Sequence, residues 1–347
     1  MAAPMAVFVP AFAPPLPPER DALPRITVAL SVYNGARHLP AAIASIGAQT
    51  FGNFECLIVD DGSTDDSRAI ADVAAARDPR FRVLHQANQG LVAALNRIAA
   101  LARAPLIARM DADDIALPAR FAAQIAFLDA HPGVGVLGSG CSTIDESGAL
   151  TNKDEEIVPT AAIPARLHEG PPLCHPSVIM RRDLLIAVGG YRSAYRHCED
   201  YDLWLRLAER TTLANLPERL LLYRRHASQV SSRHTLVQKY GAAVAWEAHL
   251  ERMAGRTDPT DGLEALPPLA ALDDVFGRAG VMRTVRAKVA LGIVYAPSAL
   301  RSEGLDLILA HVRDGGDTTG LWRTVARLVT LGAPLRAARL AAVLATT

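Results

Sequence analysis

The sequence predicts an α/β fold in which helices cover a mostly parallel sheet and a helical region follows at the C-terminal end. Short apolar runs alternate with segments whose apolar residues recur at helical spacing. Polar, partly acidic groups follow several of these runs, at the positions where the strands of such a sheet would end. Ligands of open α/β sheets bind outside the carboxyl ends of the strands. These polar groups are therefore the first candidates for a functional site.

Strand and helix patterns alternate from Ile26 onward. The run from Ile26 to Leu30 has the length of a buried strand, and Leu39, Ile43 and Ile46 then recur at i, i+4 and i+7. The same rhythm predicts further strands over 54–59, 81–85 and 106–110, with helices that begin after Asp66, at Gly90 and near Pro118. This order is typical of parallel strands joined by helices.

The composition excludes several classes of protein. The chain has 347 residues, of which 50% are hydrophobic, and 36 Lys and Arg balance 36 Asp and Glu, so a nucleic-acid partner is not expected. Its four cysteines, Cys56, Cys141, Cys174 and Cys198, are far apart and include no Cys-x-x-Cys pair. That pattern disfavours a zinc site or a disulfide framework and favours a reducing, cytoplasmic setting. No run of about 18 apolar residues predicts a membrane span.

The strongest polar group is the segment from Asp111 to Asp114, which directly follows the apolar run 105–110. In an extended segment, residues i and i+2 face the same way about 7 Å apart, so the carboxylates of Asp111 and Asp113 can converge on one cation. Mg²⁺ and Mn²⁺ prefer such oxygen ligands and complete their shell with phosphate and water. The segment predicts a divalent cation bound together with a nucleoside diphosphate, with Asp114 as a capping or supporting residue.

Two further polar groups, Tyr33-Asn34 and the segment from Asp60 to Ser63, follow the first and second predicted strands. Taken alone, the second group is more typical of a turn and helix cap. The first strand is not followed by Gly-x-Gly-x-x-Gly, and no Walker lysine loop is present, which disfavours dinucleotide enzymes and P-loop proteins. Phosphate would then be held by the metal.

Several motifs occur together in one order along the chain. They are Tyr33-Asn34-Gly35, Gln49-Thr50, the segment from Val59 to Asp65, Asn88-Gln89-Gly90, the segment from Met110 to Asp114, and Glu199-Asp200. From about Ile26 to about Ser232 the chain closely resembles family 2 glycosyltransferases. The resemblance implies a GT-A, Rossmann-like fold for a catalytic domain over 25–232. Composition predicts a flexible Pro/Ala-rich leader over 1–24, and the pattern beyond the resemblance predicts a helical C-terminal region over 233–347.

The resemblance also implies roles for residues on the donor side. Asp60 or Asp61 would accept the ring N–H of the nucleobase, and the turn at Gly62 would let the backbone approach the nucleotide. Asp113 would bind the cation, Mn²⁺ or Mg²⁺, directly. The remaining residues of the implied donor site are Tyr33, Asn34, Asn88, Gly90 and Asp111 around the nucleotide and metal, and His226 near the diphosphate or metal.

On the acceptor side, the resemblance implies that Asp200, next to Glu199, takes the proton of the attacking hydroxyl. The reaction would be a single displacement with inversion at the anomeric carbon. His175 and Trp204 would lie on the acceptor side. The Gln-x-x-Arg-Trp motif of processive synthases is missing, which favours the addition of one sugar over extrusion of a polymer.

These features predict transfer of one sugar from a nucleotide diphosphate sugar, with UDP as the expected nucleotide, to a glycan or lipid-linked acceptor in cell-surface polysaccharide biosynthesis. One alternative is a nucleotidyltransferase that makes activated sugars, but such enzymes usually begin with a glycine-rich, basic loop, and the segment from Ser31 to His38 is not one. Another is a catalytically silent nucleotide-sugar binding module, which the presence of Asp200 disfavours.

The last stretch of the chain, from Leu321 to Leu344, has a basic amphipathic pattern. It contains four arginines and no acidic residue, interleaved with apolar side chains. Such a segment either lies on an anionic membrane surface, which for this chain would be the inner face of the cell membrane, or packs as a terminal helix or homodimer contact.

Overall fold

The computed structural model describes residues 23–151, 154, 156–225 and 234–346. All but the last two residues of the predicted leader, together with His226, lie outside the described residues. The chain divides into two compact units. The first takes its described residues from Met1–Thr160, Leu173–Ile186 and Thr212–Arg224, and the second from Ala161–Pro172, Ala187–Thr211 and Arg225–Thr347.

All the described strands belong to the first unit. They are β1 (Ile26–Val32), β2 (Phe54–Asp60), β3 (Phe81–His85), β4 (Leu106–Asp111), β5 (Ile115–Ala116), β6 (Val134–Ile144), β7 (Ile179–Arg181) and β8 (Thr212–Arg224). The described helices in chain order are α1 (Leu39–Gly47), α2 (Ser67–Arg77), α3 (Leu91–Leu101), α4 (Arg120–Ala130), α5 (Ile163–Arg166), α6 (Arg182–Ala187), α7 (Glu199–Ala208), α8 (Thr235–Met253), α9 (Leu272–Phe276), α10 (Val281–Gly292), α11 (Pro297–Leu300), α12 (Gly304–Arg313), α13 (Leu321–Thr330) and α14 (Pro334–Leu344).

The strands form one sheet in the order β3-β2-β1-β4-β7-β6-β8-β5. The first four in chain order pair in parallel, β3 with β2, β2 with β1 and β1 with β4. Nearly every residue of β1 and β2 is buried, as expected for parallel strands covered on both faces. The predicted mostly parallel, helix-covered sheet is confirmed. Beyond β4 the sheet is mixed, because β7 runs antiparallel to β4 and β6 while β6 and β8 are parallel.

The Gln49-Thr50 motif has a structural role at the end of α1. Gln49 is completely buried, its Nε2 donates to the carbonyl of Leu117 at 2.8 Å, and its Oε1 accepts the N–H of Phe121 at 3.1 Å. The N–H of Thr50 donates to the carbonyl of Pro118. These bonds fix the segment that leads from the acidic group into α4, a helix that begins two residues after Pro118.

The second unit is helical, and buried ion pairs hold its first part together. Arg192 and Arg206 both bind the buried carboxylate of Asp202, and Arg192 also binds Asp258 at 2.9 Å. Arg206 donates to the carbonyls of residues 188 and 190 as well, which ties the loop before α7 to that helix. Among the described residues, no helix is both long and apolar enough to cross a membrane.

Candidate functional site

The acidic segment forms a cluster where β4 ends. Asp111 is the last residue of β4, and Asp113 and Asp114 follow in the turn before β5. One carboxylate oxygen from each of the three residues can be chosen so that all lie within 4.8 Å of one another. Such a group of oxygens is suited to a hard divalent cation. The predicted convergence of Asp111 and Asp113 is therefore present in the structure, and Asp114 joins them.

A buried arginine on the same strand binds the carboxylate of Asp111. The guanidinium of Arg109, which is only 2% exposed, donates to Asp111 Oδ1 at 2.6 Å and to the carbonyl of Met110. Burial raises the pKa of Asp111, and the charge of Arg109 opposes that rise. One carboxylate oxygen of Asp111 is therefore engaged by Arg109.

Asp114 is almost fully buried, with 1% exposure. Its Oδ1 accepts the N–H of Arg224 at 2.8 Å, whereas its buried Oδ2 has no hydrogen-bond partner among the described residues. Burial and the charges of Asp111 and Asp113 raise the pKa of Asp114 well above its ordinary value. A buried carboxylate oxygen without a donor is costly, and a cation at the cluster would satisfy it. The residues present therefore fit a bound divalent cation.

Arg224 connects the acidic turn to the rest of the first unit. This last residue of β8 is 4% exposed, and its Nε donates to the carbonyl of Asp113 at 2.8 Å. Its Nη1 donates to the carbonyl of Asp145 at 2.9 Å. Arg224 and Arg109 are residues that the sequence did not single out. The sequence did contain a signal for both: each arginine lies inside or directly after an apolar run that is typical of a buried strand. A charged side chain that is buried there requires hydrogen-bond or ionic partners.

Asp60 and Asp61 lie at the end of β2 and bind different partners. Asp60 Oδ1 accepts the N–H of Ser63 at 3.0 Å, and its Oδ2 lies 3.1 Å from His85 Nδ1. Burial acts to raise the pKa of Asp60, but the hydrogen bonds from Ser63 and His85 outweigh it, and the pKa lies below its ordinary value. A carboxylate held in this way is ionised at neutral pH.

Asp61 serves the loop before α3. Its Oδ1 accepts the side-chain N–H of Gln86 at 2.7 Å and the N–H of Gln89 at 2.9 Å, and its Oδ2 accepts the N–H of Gly90 at 2.8 Å. Its carboxylate is thereby committed to closing this loop onto β2. Gly90 itself has a φ of +87°, a conformation that glycine adopts without strain.

The residues around this loop include the other predicted nucleotide contacts. Gly62 has a φ of +78°, and a Cβ at this position would lie 2.8 Å from the backbone N atom of Asn88. The close contact between these two backbone segments is therefore enough to require glycine. Asn34 Oδ1 accepts the N–H of Thr64 at 2.8 Å, which joins the ends of β1 and β2. Tyr33 and Asn88 are exposed. Their exposure leaves both side chains accessible to a ligand.

His175 belongs to a short 3-10 turn, His175–Ser177, that packs against β4 in the first unit. Burial, together with the charge of Arg109, lowers the pKa of His175 well below its ordinary value. The imidazole is therefore neutral at neutral pH. A neutral ring can accept or donate a hydrogen bond, but it carries no charge.

Glu199 and Asp200 are the first residues of α7, in the second unit. Asp200 is partly exposed and its Oδ1 accepts the N–H of Tyr201 at 2.7 Å. The apolar positions of this helix, Leu203 and Leu207, are fully buried, which fixes Asp200 on rigid structure. Trp204 is also 0% exposed, so its side chain packs inside the unit.

Comparison with known proteins decides the family. Residues 27–189 match the family model described as glycosyl transferase family 2. The amylovoran biosynthesis glycosyltransferase AmsE of Erwinia amylovora is 33% identical over 218 residues, which cover 60% of this chain and 79% of AmsE. The chain belongs to glycosyl transferase family 2. The protein EpsE of Bacillus subtilis (strain 168) is 36% identical to this family 2 glycosyltransferase over 190 residues, which cover 54% of the chain and 67% of EpsE.

Solved structures of low sequence identity share the fold of this glycosyltransferase. S. aureus TarS in complex with UDP-GlcNAc has a TM-score of 0.54 at 17% identity, and the alignment covers 85% of this chain and 93% of the TarS chain. A mannosyltransferase from Pyrobaculum calidifontis in complex with GDP-Man and Mn²⁺ has a TM-score of 0.50 at 18% identity, and the alignment covers 96% of this chain and 90% of the mannosyltransferase chain. The predicted GT-A type fold is confirmed by these likenesses.

Within this glycosyltransferase, the structure brings most of the predicted donor residues to the strand ends of the first unit. Asp60 follows from β2, Asp111 from β4, and Tyr33 and Asn34 from β1. The structure adds Arg109, Arg224 and His85, and it brings Asp114, which was expected only as a capping or supporting residue, into the cluster. Glu199, Asp200 and Trp204 lie in the second unit, and their assigned roles stay predictions from the family resemblance.

Proposed function

We propose that this family 2 glycosyltransferase moves a single sugar from a nucleotide diphosphate sugar to a hydroxyl of a glycan or glycolipid acceptor in the biosynthesis of a cell-surface polysaccharide. Relatives support the acceptor class, because AmsE is named for amylovoran biosynthesis and WbnJ of Escherichia coli, 29% identical over 218 residues, for O-antigen biosynthesis. The structurally similar proteins were solved with UDP-GlcNAc or GDP-Man, which supports a nucleotide-sugar donor.

The acidic cluster is the observation that carries the proposal. Three carboxylates with ligand oxygens within 4.8 Å, one of them buried with an unsatisfied oxygen, are suited to hold a divalent cation, Mn²⁺ or Mg²⁺. Asp113 would be the direct ligand, with Asp111 and Asp114 completing the protein's share. A bound cation neutralises the diphosphate oxygens and so stabilises the leaving group.

We assign the nucleobase contact to Asp60 rather than Asp61. Asp61 accepts three hydrogen bonds that close the loop before α3, whereas Asp60 is bound by Ser63 and His85 and takes no part in that closure. Uracil and guanine each carry a ring N–H that could be this donor. Uridine remains the expected base, with Tyr33, Asn34 and Asn88 beside it.

Asp200 is proposed as the general base, with Glu199 as its neighbour, in a single displacement with inversion. Its fixed place at the start of α7 keeps this carboxylate oriented, as a general base requires. Family membership favours sugar transfer over the nucleotidyltransferase alternative. Turnover separates the enzyme from a catalytically silent binding module.

The C-terminal helices leave part of the predicted amphipathic stripe exposed. Leu321 and Leu328 of α13 are buried in the second unit, whereas Trp322 and Val329 are 57% and 56% exposed. Arg339 is paired with Asp306 at 2.9 Å. The packing of a terminal helix thus accounts for one side of the stripe. We propose that the other side contacts an anionic membrane surface at the cytoplasmic face, where a lipid-linked acceptor would be presented, rather than a second copy of the chain.

Turnover of matched variants tests the proposed chemistry. The protein, incubated with UDP-linked sugars, Mn²⁺ and cell-envelope glycan, should release UDP and glycosylate the glycan. Asp113→Ala should lose metal-dependent nucleotide binding, whereas Asp200→Ala should keep binding and lose transfer by about a hundredfold or more. Asp261→Asn, at an exposed position of the second unit, is the control. Tight UDP–Mn²⁺ binding by the Asp113 variant would refute the metal assignment, and binding without any release by the wild type would favour the silent module.

A further inference from the structure

His85 links two carboxylates on different elements of the first unit. Its Nδ1 lies 3.1 Å from Asp60 Oδ2, and its Nε2 lies 2.9 Å from Asp72 Oδ1 on α2. The imidazole is 28% exposed, Asp60 is 3% exposed, and Asp72 is 53% exposed. The contact reaches from the surface of α2 to the buried end of β2.

Both ring nitrogens of His85 lie within hydrogen-bond distance of a carboxylate oxygen, and carboxylate oxygens accept hydrogen bonds. Asp72, by accepting from Nε2, keeps the ring turned so that Nδ1 faces Asp60.

The position of His85 is fixed from several directions. It is paired with Asp60 in the parallel register of β2 and β3, and the N–H of Gln86 donates to the carbonyl of Asp60 at 3.1 Å. Arg97 on α3 donates to Gln86 Oε1 at 2.8 Å. Asp60 and the imidazole therefore cannot move independently of these strands.

We propose that His85, oriented by Asp72, is a positioning residue for recognition of the nucleobase. This inference rests on the proposed function, in which Asp60 accepts the ring N–H of the base. His85 occupies Asp60 Oδ2 and the N–H of Ser63 occupies Oδ1, so the carboxylate is held in one orientation and keeps its remaining lone pairs for the base. The pairing also keeps Asp60 ionised, and an ionised carboxylate cannot itself donate to a base that lacks a ring N–H.

Base preference is the measurement that this role would change. Uracil and guanine carry a ring N–H, whereas the ring nitrogen at the matching position of cytosine only accepts. We expect the wild type with Mn²⁺ to bind UDP or GDP about tenfold or more tightly than CDP, the range for a hydrogen bond to a charged group. Inorganic pyrophosphate with Mn²⁺ reports the metal and phosphate contribution alone.

Two substitutions separate the bond to Asp60 from the bond to Asp72. The side-chain nitrogen of asparagine lies as many bonds from Cα as Nδ1, and that of glutamine as many as Nε2. His85→Asn should therefore keep a donor for Asp60 and most of the base preference. His85→Gln should place its donor toward Asp72 and bring the preference for UDP or GDP over CDP close to one, with pyrophosphate binding unchanged in both variants.

The outcomes distinguish this inference from the proposed function. Equal base preference in wild type and His85→Gln, with both proteins folded by thermal unfolding, would overturn the role of His85. A wild type that binds UDP, GDP and CDP equally would overturn it as well while leaving the metal site standing. A wild type that binds none of them, nor pyrophosphate, with Mn²⁺ would overturn the proposed function itself.

Discussion

At the scale of single residues, two adjacent aspartates with the same side chain have different tasks. Asp60 keeps unused acceptor capacity beside His85, whereas Asp61 closes a loop through the N–H groups of Gln89 and Gly90. The sequence predicted that one of the two reads the base and left the choice open. The choice depends on partners about 25 residues away along the chain, which local sequence patterns do not specify.

Substitution of each aspartate by asparagine tests this division. Asp61→Asn would set an amide N–H against backbone N–H donors, so we expect a loss of about 2 kcal/mol in the free energy of unfolding, measured with urea. Asp60→Asn retains an acceptor for Ser63 but turns its amide N–H toward His85, so we expect a comparable loss of about 2 kcal/mol in its unfolding free energy. Its affinity for UDP with Mn²⁺, measured by calorimetry, should fall about tenfold. Full stability of Asp61→Asn would contradict the assignment.

At the scale of secondary-structure elements, the sequence predicted β1 to β4 and α1 to α3 closely. β3 has the predicted bounds, and β1, β2 and β4 extend one or two residues further than predicted. Their clear alternation of apolar runs and helical spacing explains the success. β6, β7 and β8 were not predicted, because their pairing joins segments far apart in sequence and includes register shifts and glycines such as Gly138 and Gly140.

The ion pairs of Asp258 with Arg192 and Arg252 should make the stability of the protein depend on pH. Burial acts to raise the pKa of Asp258, but Thr260, Arg192 and Arg252 outweigh it and lower the pKa to about 2. A carboxyl whose pKa is depressed on folding stabilises the fold above its unfolded pKa, and that stabilisation is lost as pH falls through the folded pKa. We expect Asp258→Asn to lower the unfolding free energy by about 2 kcal/mol at pH 7.

The difference between wild type and Asp258→Asn should shrink between about pH 4 and about pH 2, because the wild-type carboxyl is protonated there. Urea unfolding at several pH values measures it, with Asp261→Asn as the matched control at an exposed aspartate in the same loop. A difference that stays constant down to pH 2 would mean that the ion pairs with Arg192 and Arg252 do not depress the pKa.

The exposed side of α13 makes a separate prediction. Trp322 and Val329 are exposed beside Arg323, so Trp322→Ser should reduce binding to vesicles that contain phosphatidylglycerol, and added salt should weaken the binding of the wild type. Leu101→Ser, at a 42% exposed apolar position of the first unit, is the control and should leave binding unchanged. Equal vesicle binding by both variants, or no binding by the wild type, would contradict the proposal that the exposed side of α13 contacts an anionic membrane.

At the scale of the whole molecule, the order of motifs was enough to predict the family and the GT-A type sheet, and both are confirmed. The convergence of Asp111 and Asp113 was predicted from their spacing in an extended segment, but Asp113 lies in the turn after β4, so it is this turn that brings the two carboxylates together. The sequence did not predict that Asp114 joins them, because Asp114 is held by Arg224, which is 110 positions further along the chain. The roles of Glu199, Asp200 and His175 stay predictions, as do the identities of the sugar and the acceptor.

The most direct test of the account is thermal unfolding of the wild type and Asp113→Ala with UDP, GDP, TDP, CDP and UTP, each with and without Mn²⁺. A ligand at a hundred times its dissociation constant adds about 2.7 kcal/mol of stability, a shift of several degrees. We predict a Mn²⁺-dependent shift with one nucleoside diphosphate that the variant loses. A shift with UTP alone, an equal shift in the variant, or no shift with any nucleotide would contradict a cation-assisted donor site at Asp111, Asp113 and Asp114.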